Sequence, residues 1–398
     1  MKSFNRLRIA LVHDNLNSCG GAERLALTIA ATLKELDHFV DLYVLKKTDW
    51  DRVRNMTYYD RSVVDNEYVI PFLKMTKTVY SRILNWFARD AIGIHMIRRR
   101  NYDLIFATKQ ILVPIIADML YMHFPDFLPG FDYLYYADRY FYNIPLRIYS
   151  RPLEIMIRML TALFKSLEYK PLILTNSRFS AMIINKFLRV DALVLHPPVD
   201  IERYLPLSQN RDRQDIVVTI SRIDPIKNLD VVLEVAKEIK SAKFIIIGSI
   251  SSYDYYSHLV KKLKTYKLGE RVKIVSNATE EQKMEILRKA KVYLHPMKYE
   301  HFGIAVVEAM AAGLVPIVHK NSGSWTDIVE FGRYGLGFND IEELVEKFDT
   351  LLSSPGAWME FALKAFKRAK LFSKRYFKLK LNAILNKFVE HLKSSQDA

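Results

Sequence analysis

The feature that most restricts the fold is a repeated alternation of short apolar runs with stretches of helical spacing. In the first half, the runs at 8–12, 40–45, 103–107, 119–123 and 172–175 read as buried strands. A loop at 13–20 leads into a helical stretch that ends near residue 35, with Leu25, Ile29 and Leu33 on one stripe. The pattern restarts at Asp215. Its spacing predicts strands over 216–220, 244–248, 272–275, 292–295 and 315–318, with helices over 228–239, 253–266, 280–289 and 303–312. Buried strands alternating with helices call for βαβ units and a parallel sheet. The stretch 196–214 between the halves holds Pro197, Pro198, Pro206 and a polar run, which is a linker composition. The expected fold class is α/β, with two doubly wound, Rossmann-like domains facing a cleft. The expected boundaries are 1–200, 201–365 and a basic C-terminal helix, 366–398, returning toward the first domain.

Half of the 398 residues are apolar and 26% are charged, a globular balance far from that of disordered chains. The net charge is +15, and it is spread out: 27 basic and 20 acidic residues in 1–200, 32 and 24 in 201–398. Such a surplus bears on partners and not on fold. Nucleic acid, an anionic membrane and phosphorylated substrates stay open. A lone cysteine, Cys19, excludes an internal disulfide and fits a reducing cytosol. The start does not read as a signal peptide, because its apolar run stops at His13 and Asp14. No stretch reaches the ~18 uncharged apolar residues of a spanning helix; the best candidate, 111–124, is broken by Pro114 and Asp118. A soluble or peripheral protein is expected. Three segments exceed the strand–helix scheme. Residues 74–100 carry seven basic groups and one acid, with Val79, Ile83, Trp86 and Phe87 at helical spacing; 131–169 is rich in Tyr, Phe, Leu and Ile; 364–380 has eight basic residues and no acid. The first two suggest contact with an anionic membrane, since basic amphipathic segments bury an apolar face among headgroups. Their plain alternative is a core or an acceptor groove.

Three motifs follow predicted strands. Gly20-Gly21-Ala22-Glu23 opens a helix, where paired glycines let a backbone approach a ligand and the helix N-terminus attracts anions; a plain tight turn explains it equally well. Ser221 to Asn228 carries Arg222 and Lys227, which at the carboxyl end of a strand can clamp a diphosphate, Arg as a fork and Lys as a point charge. Alone, they also read as two solvated cations. The strongest block runs from Glu300 to Gly313, with Glu300 and Glu308 eight apart and Gly303 before an apolar helix. The two carboxylates can serve as an acid/base pair or as acceptors for sugar and ribose hydroxyls; an amphipathic helix with two solvated acids fits the spacing too.

Jointly these motifs resemble the retaining glycosyltransferases of the GT-B fold, family 4. Glu300 and Glu308 match the family's paired acids, Gly20 to Glu23 its donor-side loop, Ser221-Arg222 with Lys227 its diphosphate-binding cations. Thr175 to Ser180 and Pro198-Val199-Asp200 match segments around its interdomain hinge. The resemblance covers about 7–45 and 118–340. Within the family it looks nearest to the cytosolic mannosyltransferases that extend dolichol-diphosphate oligosaccharides, on Tyr121 to Asp126, Lys227-Asn228, Glu300 to Ile304 and Asn321-Ser322-Gly323. Two departures stand out: Ser221 and Asn228 occupy positions where bacterial relatives usually have glycine, and 131–169 matches nothing in the family.

The resemblance implies a hexosyltransferase, mannose favoured, using a GDP- or UDP-linked sugar and a lipid-linked or other glycan acceptor at the cytoplasmic face of a membrane. A soluble acceptor is the alternative. Arg222 and Lys227 would stabilise the departing diphosphate, and Glu308 would bind the ribose. Glu300, with the amides of Phe302, Gly303 and Ile304 nearby, would orient the donor sugar, and His123 would touch that sugar. No metal or other cofactor is implied. His258, His319 and His391 are scattered and read as ordinary. A nucleic-acid-binding protein would explain the charge but not the Glu300–Glu308 block, and a compact recognition motif is missing. A dinucleotide enzyme would want a proper glycine fingerprint.

Overall fold

A computed structural model describes residues 6–71, 92–108, 116–124, 162, 166, 171–210 and 212–396. Two all-parallel sheets organise the chain. The first contains β1 (Arg8–Val12), β2 (Phe39–Val44), β3 (Asn66–Val69), β4 (Leu104–Ala107), β5 (Met119–Met122), β6 (Leu172–Thr175) and β7 (Leu193–Val194), in the order β3-β2-β1-β4-β5-β6-β7. The second contains β8 (Gln214–Ile220), β9 (Lys243–Gly248), β10 (Val272–Ser276), β11 (Ala290–His295), β12 (Val315–His319) and β13 (Leu336–Phe338), in the order β10-β9-β8-β11-β12-β13. Both sheets reverse direction beside their first strand, between β1 and β4 and between β8 and β11. At such a switch point the loops leaving the two strands diverge to opposite faces and open a crevice at their carboxyl ends. The α/β, two-sheet expectation holds.

The helices are α1 (Gly21–Glu35), α2 (Trp50–Thr57), α3 (Arg178–Leu188), α4 (Asp230–Glu238), α5 (Tyr253–Thr265), α6 (Glu280–Lys289), α7 (Ile304–Ala311), α8 (Ile341–Ser353), α9 (Pro355–Ala369) and α10 (Lys374–Gln396). The helix expected over 228–239 starts later, and the reason is local. Asp224 accepts a bond from the Ile226 amide and caps a 3₁₀ turn, Pro225–Lys227, and Asn228 then takes φ 54°, which interrupts the helical path. Lys227 is thereby held at the tip of a turn. Strands β3, β7 and β13 had no apolar run to announce them: β3 is a partly exposed edge strand reading Asn-Glu-Tyr-Val, and β7 is two residues long.

Apolar residues fill both faces of each sheet, as parallel sheets require. The first core contains Leu11, Leu27, Ile29, Phe106 and Tyr121, and it is completed from the far end of the chain by Phe377, Leu381 and Leu385 of α10. Each such burial stabilises by roughly 1.5–3 kcal/mol, which fixes α10 to the first sheet. The chain therefore crosses between the sheets twice. The crossings meet where the Val199 amide donates to the Phe372 carbonyl at 2.9 Å and Lys374 Nζ lies 3.1 Å from Asp200. The basic segments at 74–100 and 131–169 lie, apart from 92–100, 162 and 166, outside the described residues. Among the described residues no helix is long and apolar enough to cross a membrane.

Candidate active site

The two loops at the switch point of the second sheet carry Arg222, Lys227 and Glu300. Lys227 Nζ lies 3.1 Å from Glu300 Oε2 and 2.9 Å from Met297 Sδ. His295, the last residue of β11, brings its Nε2 to 3.1 Å from the same Glu300 oxygen. Burial opposes ionisation of Glu300, but the charge of Lys227 and the hydrogen bond of His295 outweigh it and hold the carboxyl well below the usual range. A fixed carboxylate and a fixed ammonium thus stand together at the crevice. Arg222, on the Lys227 loop, is exposed, and no carboxylate among the described residues pairs with it.

Glu308 sits one turn into α7, where Oε2 meets Lys283 Nζ at 3.0 Å. Lys283 also donates to the Tyr204 hydroxyl at 2.7 Å. Burial disfavours the Lys283 charge, yet Glu308 more than compensates and raises its pKa. The α7 start depends on Gly303, whose φ of 101° is left-handed and whose missing Cβ leaves room for Ser324 Oγ. Ser324 uses that room to donate to the Phe302 carbonyl at 2.6 Å. The Phe302 ring is buried, with its centroid 5.7 Å from that of His196 and 5.5 Å from that of Phe372. Its ring belongs to the core, and only its amide remains a candidate for ligand contact.

The first domain faces this corner closely. Gly21 has no side chain where one would come 3.2 Å from Ile304 Cδ1, so the glycine loop and the α7 start touch. Gly20 donates its amide to Glu23 Oε2 at 2.8 Å, and Glu23 Oε1 lies 3.8 Å from His13 Nε2. Burial disfavours the Glu23 charge, but the His13 hydrogen bond prevails and lowers its pKa. His13 Nδ1 in turn lies 2.8 Å from Thr108 Oγ1, which ties the glycine loop to the switch point of the first sheet. His123 follows β5, its ring centroid 5.0 Å from that of Tyr121. The next residue, Phe124, stacks flat on His301, with centroids 3.8 Å apart and planes 1° apart. Burial depresses the His301 pKa to about 4, so the stacked imidazole is neutral at physiological pH. Gly21 and Phe124 of one domain therefore meet Ile304 and His301 of the other, with Gly20 and His123 as their chain neighbours.

Several residues of this cleft carried no motif. His295 had one signal, its place at the carboxyl end of a strand beside the switch point. Lys283 and Tyr204 come from distant segments. Asp327 is fully buried in a π-helical turn, Ser324–Ile328, and joins the two domains. The Arg178 amide, in the first turn of α3, donates to both Asp327 oxygens at 3.0 and 2.9 Å, and His196 Nε2 lies 2.8 Å from Oδ1. Ser177 Oγ, the α3 cap, also donates to the His301 carbonyl at 2.5 Å. Burial would raise the Asp327 pKa, but His196, Thr326 and the Arg178 amide together lower it. Among the described residues, no group of three or more His, Cys, Asp or Glu side chains is placed to hold a metal ion.

Residues 200–371, which contain Arg222, Lys227, Glu300 and Glu308, match the family described as "Glycosyl transferases group 1". The chain carries a group 1 glycosyl transferase domain. Relatives extend the likeness beyond that glycosyl transferase domain. The GDP-Man:Man(3)GlcNAc(2)-PP-Dol alpha-1,2-mannosyltransferase of Neurospora crassa is 33% identical over 205 residues, 46% of this chain and 36% of that protein. The alpha-1,3/1,6-mannosyltransferase ALG2 of Dictyostelium discoideum is 23% identical across 97% of this chain and all of its own length. The matched stretch spans 36% to 42% of the length of the alpha-1,2-mannosyltransferases from Neurospora, Dictyostelium and Xenopus laevis. Sucrose-phosphate synthase from Thermosynechococcus elongatus superposes with a TM-score of 0.75 at 15% identity, covering 97% of this chain and all of the other, which establishes the GT-B fold.

Proposed function

We propose that the protein is a retaining hexosyltransferase that moves mannose from a nucleotide-diphosphate sugar to a lipid-linked glycan at the cytoplasmic face of a membrane. The observation that carries this reading is the Lys227–Glu300 contact at the switch point, closed over by Gly21 and Phe124 of the other domain. The names of the mannosyltransferase relatives support the donor and the acceptor class.

In this reading Lys227 and Arg222 neutralise the diphosphate as the bond from the anomeric carbon to its phosphate oxygen breaks. The acceptor hydroxyl oxygen bonds to that carbon from the same face, and its proton passes to the departing phosphate oxygen. Catalysis then rests on positioning and on preorganised charge, with no resident metal required. Glu300, held ionised, accepts hydrogen bonds from donor sugar hydroxyls, and His123 meets the sugar from the other side. The amides of Gly303 and Ile304 face the donor at the N-terminal end of α7, beside Gly20 and Gly21. Glu308, its charge balanced by Lys283, receives the ribose hydroxyls. The basic segments at 74–100 and 131–169 bring the acceptor domain to anionic lipid.

The test is a panel of nucleotide-diphosphate sugars, each incubated with lipid extract as acceptor and read by nucleoside-diphosphate release. The expected outcome is release with one mannosyl donor, dependent on the extract and unaffected by a chelator. Release with a water-soluble glycan but not with lipid extract would move the acceptor to the soluble class, and no release with any donor would overturn the proposal.

A further inference from the structure

A second cationic site lies on the first domain, away from the Lys227 corner. A cleft of about 430 Å³ opens beside the loop after β1 and is lined by Asn15, Asn17, Ser18, Lys46, Lys47, Asp49 and Arg52. Three cations face one carboxylate there, and that carboxylate is occupied locally, since Asp49 Oδ1 accepts the Arg52 amide at 3.1 Å. Among the described residues no carboxylate pairs with Lys46, Lys47 or Arg52. The surroundings are built rather than loose. Asn17 donates from Nδ2 to the Lys47 carbonyl at 3.0 Å and accepts the Asp49 amide at 2.7 Å, while Arg52 Nε donates to the Asn17 carbonyl at 3.0 Å. One asparagine thus clamps the two cation-bearing segments to the loop, and Asn15 closes that loop by accepting the Asn17 amide at 3.1 Å.

The position matters as much as the charge. The loop runs directly from Ser18 into Gly20 and Gly21, and Gly21 touches Ile304 at the mouth of the transfer cleft. The cationic cleft therefore lies at the carboxyl end of the first sheet, on the domain that does not carry Lys227. A ligand held here needs negative charge and a polar, hydrogen-bonding head. Lys and Arg around an open cleft suit a phosphoryl group, with Arg supplying directed donors and the two Lys point charges.

We infer that Lys46, Lys47 and Arg52 form the acceptor's anchoring site and bind its diphosphate, so that the acceptor sugar reaches past Gly21 to the donor. This rests on the reading of the cleft as a sugar-transfer site. It assigns the two diphosphates of the reaction to separate cation sets: the donor's to Arg222 and Lys227, the acceptor's to the loop after β2 and the first turn of α2.

The experiment is a titration of farnesyl diphosphate and of inorganic pyrophosphate into the full chain with its donor site saturated by nucleoside diphosphate. The wild type is compared with Lys47→Gln/Arg52→Gln and with Lys46→Gln. The double variant should weaken both probes by roughly tenfold or more, as the loss of charge-assisted hydrogen bonds dictates, while nucleoside-diphosphate affinity stays at the wild-type value. The single variant, far from any buried contact, guards against misfolding and should weaken both probes less. Unchanged probe affinity in the double variant overturns the inference, as does loss of all probe binding once nucleoside diphosphate is present. A parallel arm measures sedimentation with phosphatidylserine vesicles; if only vesicle binding falls, the cations read lipid headgroups and the acceptor assignment is wrong. Failure of nucleoside diphosphate to bind even the wild type would instead count against the transfer reading itself.

Discussion

Two carboxylates, the fully buried Asp327 and the part-exposed Glu300, both keep their charge, yet they are built for different purposes. Asp327 is closed on every side: the Arg178 amide takes both oxygens, and His196 and Thr326 bond to it as well. It has nothing left to offer a ligand, and it joins two domains. Glu300 takes Lys227 and His295 on Oε2 and the His301 amide on Oε1 at 3.1 Å, at the mouth of a crevice, with Arg222 exposed nearby. A charge fully satisfied from within holds a structure together, whereas one satisfied by partners that a substrate can share prepares a reaction.

The largest effect should separate these roles at once. Asp327→Ala leaves His196 and the start of α3 facing a void, and breaking such a buried network costs about 3–5 kcal/mol. Urea unfolding should show that loss, with turnover falling as the fraction folded falls. Full stability in the variant would show that the junction is not what fixes the domains.

Lys227→Ala should do the reverse. Removing one preorganised electrostatic contact costs ~2.7–4 kcal/mol in the transition state, roughly 10²–10³ in kcat, with a smaller loss of folding stability than in Asp327→Ala, because His295 and the His301 amide still hold the Glu300 carboxylate. A variant that loses stability but keeps its turnover would place Lys227 with Asp327 instead.

Acid should stress both sites from one side. The unfolded His301 titrates near 6.5 and the folded one near 4, so below pH 6.5 the unfolded chain binds the proton first and stability falls until about pH 4. The difference corresponds to about 3 kcal/mol. Glu300 and Asp327, whose pKa values are lowered on folding, add a further loss with the same sign once the pH falls below the ordinary carboxylate range. Denaturant unfolding from neutral pH to about pH 4 checks this, and His301→Phe, which keeps a flat ring against Phe124, should flatten the upper part of the curve. An unchanged curve in that variant would remove His301 as its cause.

The smallest effect should come from Glu308→Ala, which removes an acceptor already shared with Lys283. Nucleoside-diphosphate affinity should drop by the worth of a charged hydrogen bond, roughly 1.5–3 kcal/mol, and calorimetric titration reads it directly. Unchanged affinity would make the Glu308–Lys283 pair purely structural.

The comparison also explains what could be read from the chain alone. Parallel strands buried on both faces leave continuous apolar runs, so most strands of both sheets were legible, and a switch point puts functional residues right after strands, which is why Lys227 and Glu300 stood out. Edge strands such as β3 carry half-polar sequences and gave no run. Asp327 was illegible for a different reason: its partners, Arg178 and His196, lie more than a hundred residues away, and a buried acid within a polar turn looks like a surface one until the fold brings those partners in. Lys283 was hidden in the same way inside α6, a helix whose sequence is mostly charged.

The most direct test of the account is a crystal structure of the protein with nucleoside diphosphate bound. The account predicts the diphosphate within hydrogen-bond distance of Lys227 and Arg222, the ribose on Glu308, and the Asp327 network unchanged. A diphosphate seated elsewhere, with the Lys227–Glu300 contact intact and Arg222 still exposed, would contradict it.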